Sequence, residues 1–396
     1  MKTKFFIHIL FLLVSYPVFS QSTPIRAVWD DGLKFRTDDG LYKFSVGGRV
    51  HYDLANFNHS ASLDSNFGEP TSKTEVRRAR ISFEGRLNNA IAYEFEFTFN
   101  ERIEFADMYV AFLSVPGIER LTVGHFREPF GLEESTSSNA IVLMERSLTS
   151  NFGPSRNLGL MLQKDFNDQR WRIYSGLFRI TNDLGADLEG EAKYSLSNRV
   201  VFNPIYDTSN NKSLHFGAAF NRYMPTENTY LLKVENETNT GPSFMKNEVT
   251  DVKNITQFGG ELAYSKNRLT LQSEYIYSLV NKVNTTYRNE GFYAMASYFL
   301  KGGRRSYNRE GNKYSSISVQ KKYNEGSMSG AWEIGARLSH LNNPGSETGI
   351  TSTTNATAGL NWYYNSNSRI MINYIHSWFK ENRIASTLLL RMQVSF

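Results

Sequence analysis

Apolar and polar residues alternate along this chain with a period of two, almost from end to end. Between Leu41 and Leu54 the even positions are Tyr42, Phe44, Val46, Gly48, Val50, Tyr52 and Leu54, and the odd ones include Lys43, Ser45, Arg49, His51 and Asp53. Successive side chains of a strand point to opposite faces, so this segment presents one apolar face and one polar face. The same division recurs in Ile91–Phe99, Leu269–Leu279, Ala356–Tyr364 and Leu388–Phe396. About 16 to 18 such segments begin near residues 40, 73, 90, 103, 119, 157, 170, 189, 213, 228, 254, 267, 288, 314, 330, 354, 368 and 384. The connections alternate between short turns, such as 88–89 and 365–367, and long polar stretches at 59–72, 126–156, 235–252 and 301–313.

An apolar face on every strand needs a non-aqueous partner. A soluble sandwich supplies one, and so does a bilayer. Three features favour the bilayer. The segments reach ten residues or more, enough to cross when tilted. Tyr, Phe and Trp gather near their ends, as in interfacial girdles. The last segment ends on Phe396, which resembles the signal read by the outer-membrane barrel assembly machinery. An open sheet edge is not viable in lipid, so the sheet must close. The expected fold is all-β: a transmembrane antiparallel β-barrel of 16 strands, with 18 as the alternative, short turns at one end and long loops at the other.

Composition narrows the rest. The chain has 396 residues, 22 Tyr, 28 Phe and 5 Trp, and no Cys. The missing cysteines exclude disulfide scaffolds, Cys-ligated zinc and thiol catalysis. With 44 basic and 39 acidic residues, nothing suggests a nucleic-acid binder. Residues 1–20 read as a secretory signal peptide: Lys2 and Lys4, a short apolar run from Phe5 to Val14, then Val18-Phe19-Ser20 before Gln21. Residues 21–39 read as an N-terminal periplasmic segment, and 40–396 as the barrel. The cell outer membrane is the expected location. His51, His59, His125, His215, His340 and His376 show no metal-ligand spacing. No cofactor and no catalytic pair is expected.

The densest chemistry lies in Glu75–Arg86, EVRRARISFEGR. With Ile81 and Phe83 toward lipid, Arg78, Arg80, Ser82, Glu84 and Arg86 face the lumen. The opposite parity would cost about 2–4 kcal/mol per arginine at the bilayer midplane. Arg77 then falls on the outward parity, unless a bulge or twist turns it in. The lumen arginines, with Glu84, Glu94, Glu96 and Glu104, form a mixed-charge wall. Such a wall either pairs across strands or orients and selects solutes.

EVRRARISF, then IAYEFEFTF and ADMYVAF, together with Leu121–Leu148, Gly330–Leu341 and Gly359–Ser377, resemble the phosphate-selective porin O and P family over roughly residues 40–396. The resemblance implies a 16-stranded outer-membrane porin, usually a homotrimer. It also implies an inward-folded constriction loop, here 126–152. By the same resemblance, Arg49, Arg77, Arg78 and Arg146 are the anion-binding arginines, with Arg80 beside them, Ser137 and Ser138 as hydroxyl donors and Asp107 nearby. Arg suits phosphate because its planar fork donates two hydrogen bonds at once.

Two departures bear on selectivity. Glu134, preceded by Glu133, stands where the family pattern has a phosphate-binding lysine. No strand carries a ladder of alternating arginines; Arg170 and Arg172 are a two-step remnant. Arg304-Arg305 and Lys321-Lys322 read either as an electropositive vestibule or as solvated loop charges. The expected function is passive diffusion of small hydrophilic solutes with a preference for anions such as phosphate. The alternative is a general or oligosaccharide porin. An outer-membrane hydrolase and a blocked structural barrel are the readings from other classes.

Overall fold

The computed structural model describes residues 23–396 apart from 30–31, 101, 183, 187–192, 226–227, 320–329 and 381–382. The expected leader and Lys321-Lys322 lie outside the described residues. The chain opens with a hairpin, β1 (Ile25–Trp29) and β2 (Leu33–Thr37), and enters the wall with β3 (Lys43–His59). The wall continues through β4 (Lys73–Leu87), β5 (Ile91–Phe99), β6 (Ile103–Leu113), β7 (Arg120–Arg127), β8 (Arg156–Phe166), β9 (Trp171–Arg179), β10 (Tyr194–Asp207) and β11 (Lys212–Tyr223). After the hairpin β12 (Tyr230–Val234) and β13 (Met245–Val249), it resumes with β14 (Val252–Lys266), β15 (Leu269–Lys282) and β16 (Thr286–Lys301). A second hairpin, β17 (Gly303–Asn308) and β18 (Lys313–Val319), precedes β19 (Ala331–Asn342), β20 (Ser352–Tyr363), β21 (Ser368–Phe379) and β22 (Arg383–Ser395).

Every wall strand pairs antiparallel with its neighbour. β22 returns to β3, from Ala385 opposite His59 to Ser395 opposite Arg49. The result is a closed 16-stranded antiparallel β-barrel. The 18-strand alternative fails at two places. The alternating segments near 228 and 314 are β12 and β18, which pair only with β13 and β17. At five and seven residues they are too short to span a bilayer. β1 and β2 add to the sheet only at the foot of β3, where Leu33 lies opposite Val46.

The lipid face follows the alternation. Val50, Tyr52, Leu271, Tyr275, Leu388, Met392 and Val394 are all exposed. At the short-turn end, Trp171 stacks on Phe202 at 4.2 Å and Trp332 on Trp362 at 5.9 Å, forming part of an aromatic girdle. In the three-residue connection from β4 to β5, Asn88 and Asn89 both take positive φ, as the central residues of a primed turn do.

The lumen face departs from the expected polar surface. Toward the loop end of β14–β22, Ile255, Ile276, Val280, Leu341, Phe379 and Ala385 point inward. They bury against Phe130, Leu148 and Phe152 of the 128–155 segment and against Leu232, Val234, Phe244 and Met245 of the β12–β13 region. Strands carry apolar residues on both faces where folded chain, rather than water, fills the barrel.

The 301–313 stretch also differs from expectation. Counted along the wall, the β16–β19 connection lies at the short-turn end, yet it carries a hairpin. That hairpin reaches across to the opposite wall, where Arg172 donates to Arg309 O at 2.9 Å and Tyr174 accepts from Asn312 at 3.2 Å. Arg305 is neither vestibular nor solvated. It is fully buried, gripping Glu333 of β19 at 2.8 and 3.0 Å.

A candidate anion site in the pore

The 128–155 segment leaves β7, crosses the lumen and returns to β8. It contains a short helix, α1 (Leu132–Ser135), and a 3-10 turn at Leu148–Asn151. The wall was built to receive it. Gly335 of β19 and Gly359 of β20 lie directly opposite each other. A Cβ on Gly335 would sit 2.6 Å from Val142 Cγ1, and one on Gly359 2.5 Å from Leu143 Cδ2. Two glycines thus leave a socket for the middle of the segment. Around the socket, wall side chains hold its backbone. Asn361 donates to Val142 O at 2.8 Å, Arg369 to Ile141 O at 2.9 Å, and Glu274 accepts from Leu132 N and Glu133 N at 2.8 and 2.7 Å.

What stays open is a cavity of about 650 Å³ against the other wall, β3 to β10. Ten basic and seven acidic side chains line it, among them Arg49, Arg77, Arg78, Arg80, Arg146 and Asp107, with Ser137 and Ser138. The structure therefore brings all of these expected residues to one place.

Arg77 corrects the parity reading. In the β3–β4 ladder His51 faces Arg78 and the next pair is Tyr52 with Val76, so Arg77 is the extra residue of a bulge. The bulge turns Arg77 inward beside Arg78. Arg77 Nε and Nη2 grip the two oxygens of Glu145 at 2.9 and 3.1 Å.

The carboxylates are shared. Glu96 accepts from both Arg49 and Arg80, the latter at 3.0 Å. Glu145 serves Arg77, Arg78 and Arg391, the last at 2.6 Å. Glu134 pairs with Arg127 and, at 3.1 Å, with Arg146. Glu134 is thus a counter-ion bridging two guanidinium groups, not a free acid facing the path. Glu133 faces away from the path. Its carboxylate accepts from Ser147 N and Oγ at 2.9 and 2.7 Å and from Arg337 at 3.1 Å, tying the segment to itself and to β19.

The individual groups divide by what they still have to offer. Arg49 Nη1 donates to Ser137 Oγ and Ser138 Oγ, both at 3.2 Å, so those hydroxyl protons remain available to a solute. Arg146 is largely spent on the segment's own carbonyls, Glu133 O at 3.1 Å and Thr136 O at 2.9 Å. Asp107 is held bidentate by Arg156 at 3.1 and 3.0 Å. Burial raises the Glu145 carboxyl, but Arg77, Arg78 and Arg391 outweigh it and hold it well below the usual range.

Sequence reasoning missed Arg127, Arg156, Glu145 and Lys313. Arg156 shares the outward parity of Leu158, Leu160 and Leu162 on β8 and turns into the pore only at the end of the strand, so alternation hides it. Lys313 enters on the β17–β18 hairpin, which no periodicity places in the pore. Arg172, the supposed ladder remnant, ion-pairs with Asp165. His51 Nε2 donates to Asn139 Oδ1 at 3.1 Å, and His215 bridges Glu261 and Tyr307 at 3.0 and 2.6 Å.

A closed 16-stranded barrel with an apolar belt and a charge-lined path through a lumen segment is an outer-membrane porin. The chain belongs to the phosphate-selective porin O and P family, whose model matches residues 44–396. It is 24% identical to Porin O of Pseudomonas aeruginosa over 394 aligned positions, covering 87% of this chain and 85% of that one. Its fold is similar to the anion-selective porin from Comamonas acidovorans, with a TM-score of 0.56 and 10% identity over 90% of this chain and all of that one. It is also similar to the trimer form of OmpT of Vibrio cholerae, with a TM-score of 0.52 and 9% identity over 90% and 99% of the two chains.

Proposed function

We propose that this porin prefers anions, phosphate-like ones among them, and that the 128–155 segment forms its constriction. The sharing of carboxylates carries the reading. Glu96, Glu134 and Glu145 each answer two or more arginines. The wall therefore keeps positive charge after internal pairing, and rings of Arg and Lys favour anions. Transport is passive and follows the gradient. Binding at Arg49 and Arg78 is weak enough for release because each guanidinium keeps its internal partner as a competitor. Family membership supports the same preference, and the structurally similar Comamonas porin is itself anion-selective. On this reading the short-turn end faces the periplasm, the mature protein is a homotrimer, and Phe396 is read by the barrel assembly machinery. Reversal potentials in a potassium chloride gradient test the preference. An anion-side potential that collapses as inorganic phosphate is added is expected; a cation-side potential overturns the reading.

A further inference from the structure

A second cavity, of about 380 Å³, opens at the loop end of the path. It is walled by the returning limb of the 128–155 segment, the ends of β9 and β11, and strand β12. Its surface differs in kind from the constriction. Phe152, Tyr223, Tyr230 and Leu231 supply an aromatic and aliphatic wall, while Arg156 and Lys233 supply the cations. Arg156, Glu128 and Ser155 line both cavities, so the two adjoin. Its Nε and Nη2 are taken by Asp107, and its Nη1 carries no hydrogen bond among the described residues. Glu128, the acid on the chamber wall, has its oxygens fixed by Asn157, Ser195, Ser197 and Asn221.

An inorganic oxyanion makes no use of such a wall. It is small, strongly hydrated and has no apolar surface to bury. A chamber of a few hundred Å³ with apolar sides and a few convergent charges is the ordinary form of a small-molecule site. Aromatic side chains add offset stacking to plain area burial. We infer that this chamber is a vestibular subsite for organic oxyanions with an aromatic body, the ring held by Tyr223, Tyr230 and Phe152 and the anionic head at Arg156, facing the constriction. The inference rests on the anion-preferring reading and names its solute class.

Current block in planar bilayers holding the full-length mature porin tests it. The quantity is the ratio of half-blocking concentrations for inorganic phosphate and phenyl phosphate, added from the loop side. Phenyl phosphate is expected to block at one-tenth the concentration or less, and phenol, lacking the charge, not to block. Tyr223→Leu with Tyr230→Leu should bring the ratio toward one. If that pair yields no channels, Leu231→Gln provides a second route to the same fall. A wild-type ratio of one, or a ratio that the substitutions leave unchanged, overturns the inference while phosphate block keeps the anion reading intact. Absence of block by either anion overturns both.

Discussion

Arg391, on the last wall strand, holds Glu145 of the lumen segment with Nη2 2.6 Å from Oε1, while its Nε and Nη2 also grip Asp53 of the first strand at 2.7 and 2.6 Å. One guanidinium thus ties the seam where the barrel closes to the segment that narrows it. Glu145→Gln leaves Arg77 and Arg78 without their counter-ion. Breaking a buried pair on one side costs about 3–5 kcal/mol. The variant should unfold in detergent at a lower temperature than wild type and show a more anion-selective reversal potential.

Arg49 and Arg80 share Glu96. Replacing both by Gln removes two positive charges and releases one negative charge into the path. The ratio of anion to cation permeability should fall severalfold. Equal reversal potentials for the variant and wild type would show that this cluster does not set selectivity.

The socket at Gly335 and Gly359 has no room for a branched side chain. Gly359→Val should push Leu143 off the wall and displace the constriction, an overpacking cost of about 1–3 kcal/mol. The expected result is a folded barrel whose single-channel conductance differs from wild type and fluctuates. Gly359→Ala should show the same change in smaller measure.

Arg305 and Glu333 form a fully buried pair between the β17–β18 hairpin and the wall. Arg305→Met leaves Glu333 with Asn361 and Tyr363 as its remaining partners, at 3.1 and 2.7 Å. The hairpin should loosen at the short-turn end. Limited proteolysis from that side, silent on wild type, should cut within 303–319.

Two acids at the constriction differ in pH response. Burial raises the Glu235 carboxyl, which therefore takes up its proton before ordinary carboxylates as pH falls. Each proton removes a negative charge from the lining, so anion preference should rise as pH falls, beginning above the ordinary carboxylate range. Glu235→Gln should flatten that rise. Glu145 runs the other way. Its folded value is depressed, so the stability it contributes is complete above about pH 4.3 and is lost only as pH falls well below that. The segment should therefore stay anchored throughout the titration of Glu235.

The wall of this porin was legible in its sequence because lipid enforces a rule on every strand. Outward positions must be apolar, and the period of two makes that visible from Tyr42 to Phe396 without any partner being known. Each wall strand shows in it, and so does the inward parity of Arg49, Arg78 and Arg80; β12 and β18 show the same alternation, and only their pairing sets them apart from the wall. The interior obeys no such rule. Ile276 and Phe379 face inward because folded chain meets them there, and period two cannot tell that from a lipid contact. Arg77 turns in through a one-residue bulge that the ladder with β3 decides. Glu134 looked like a repulsive acid in the linear sequence and is a shared counter-ion in the fold, because Arg127 and Arg146 converge on it across a turn. Lys313 and Arg305 reach the lumen on a hairpin from the short-turn end, a placement set by which strand it follows. The alternation fixed what faces the membrane; which charges meet in the pore was decided by tertiary contacts between residues far apart in the chain.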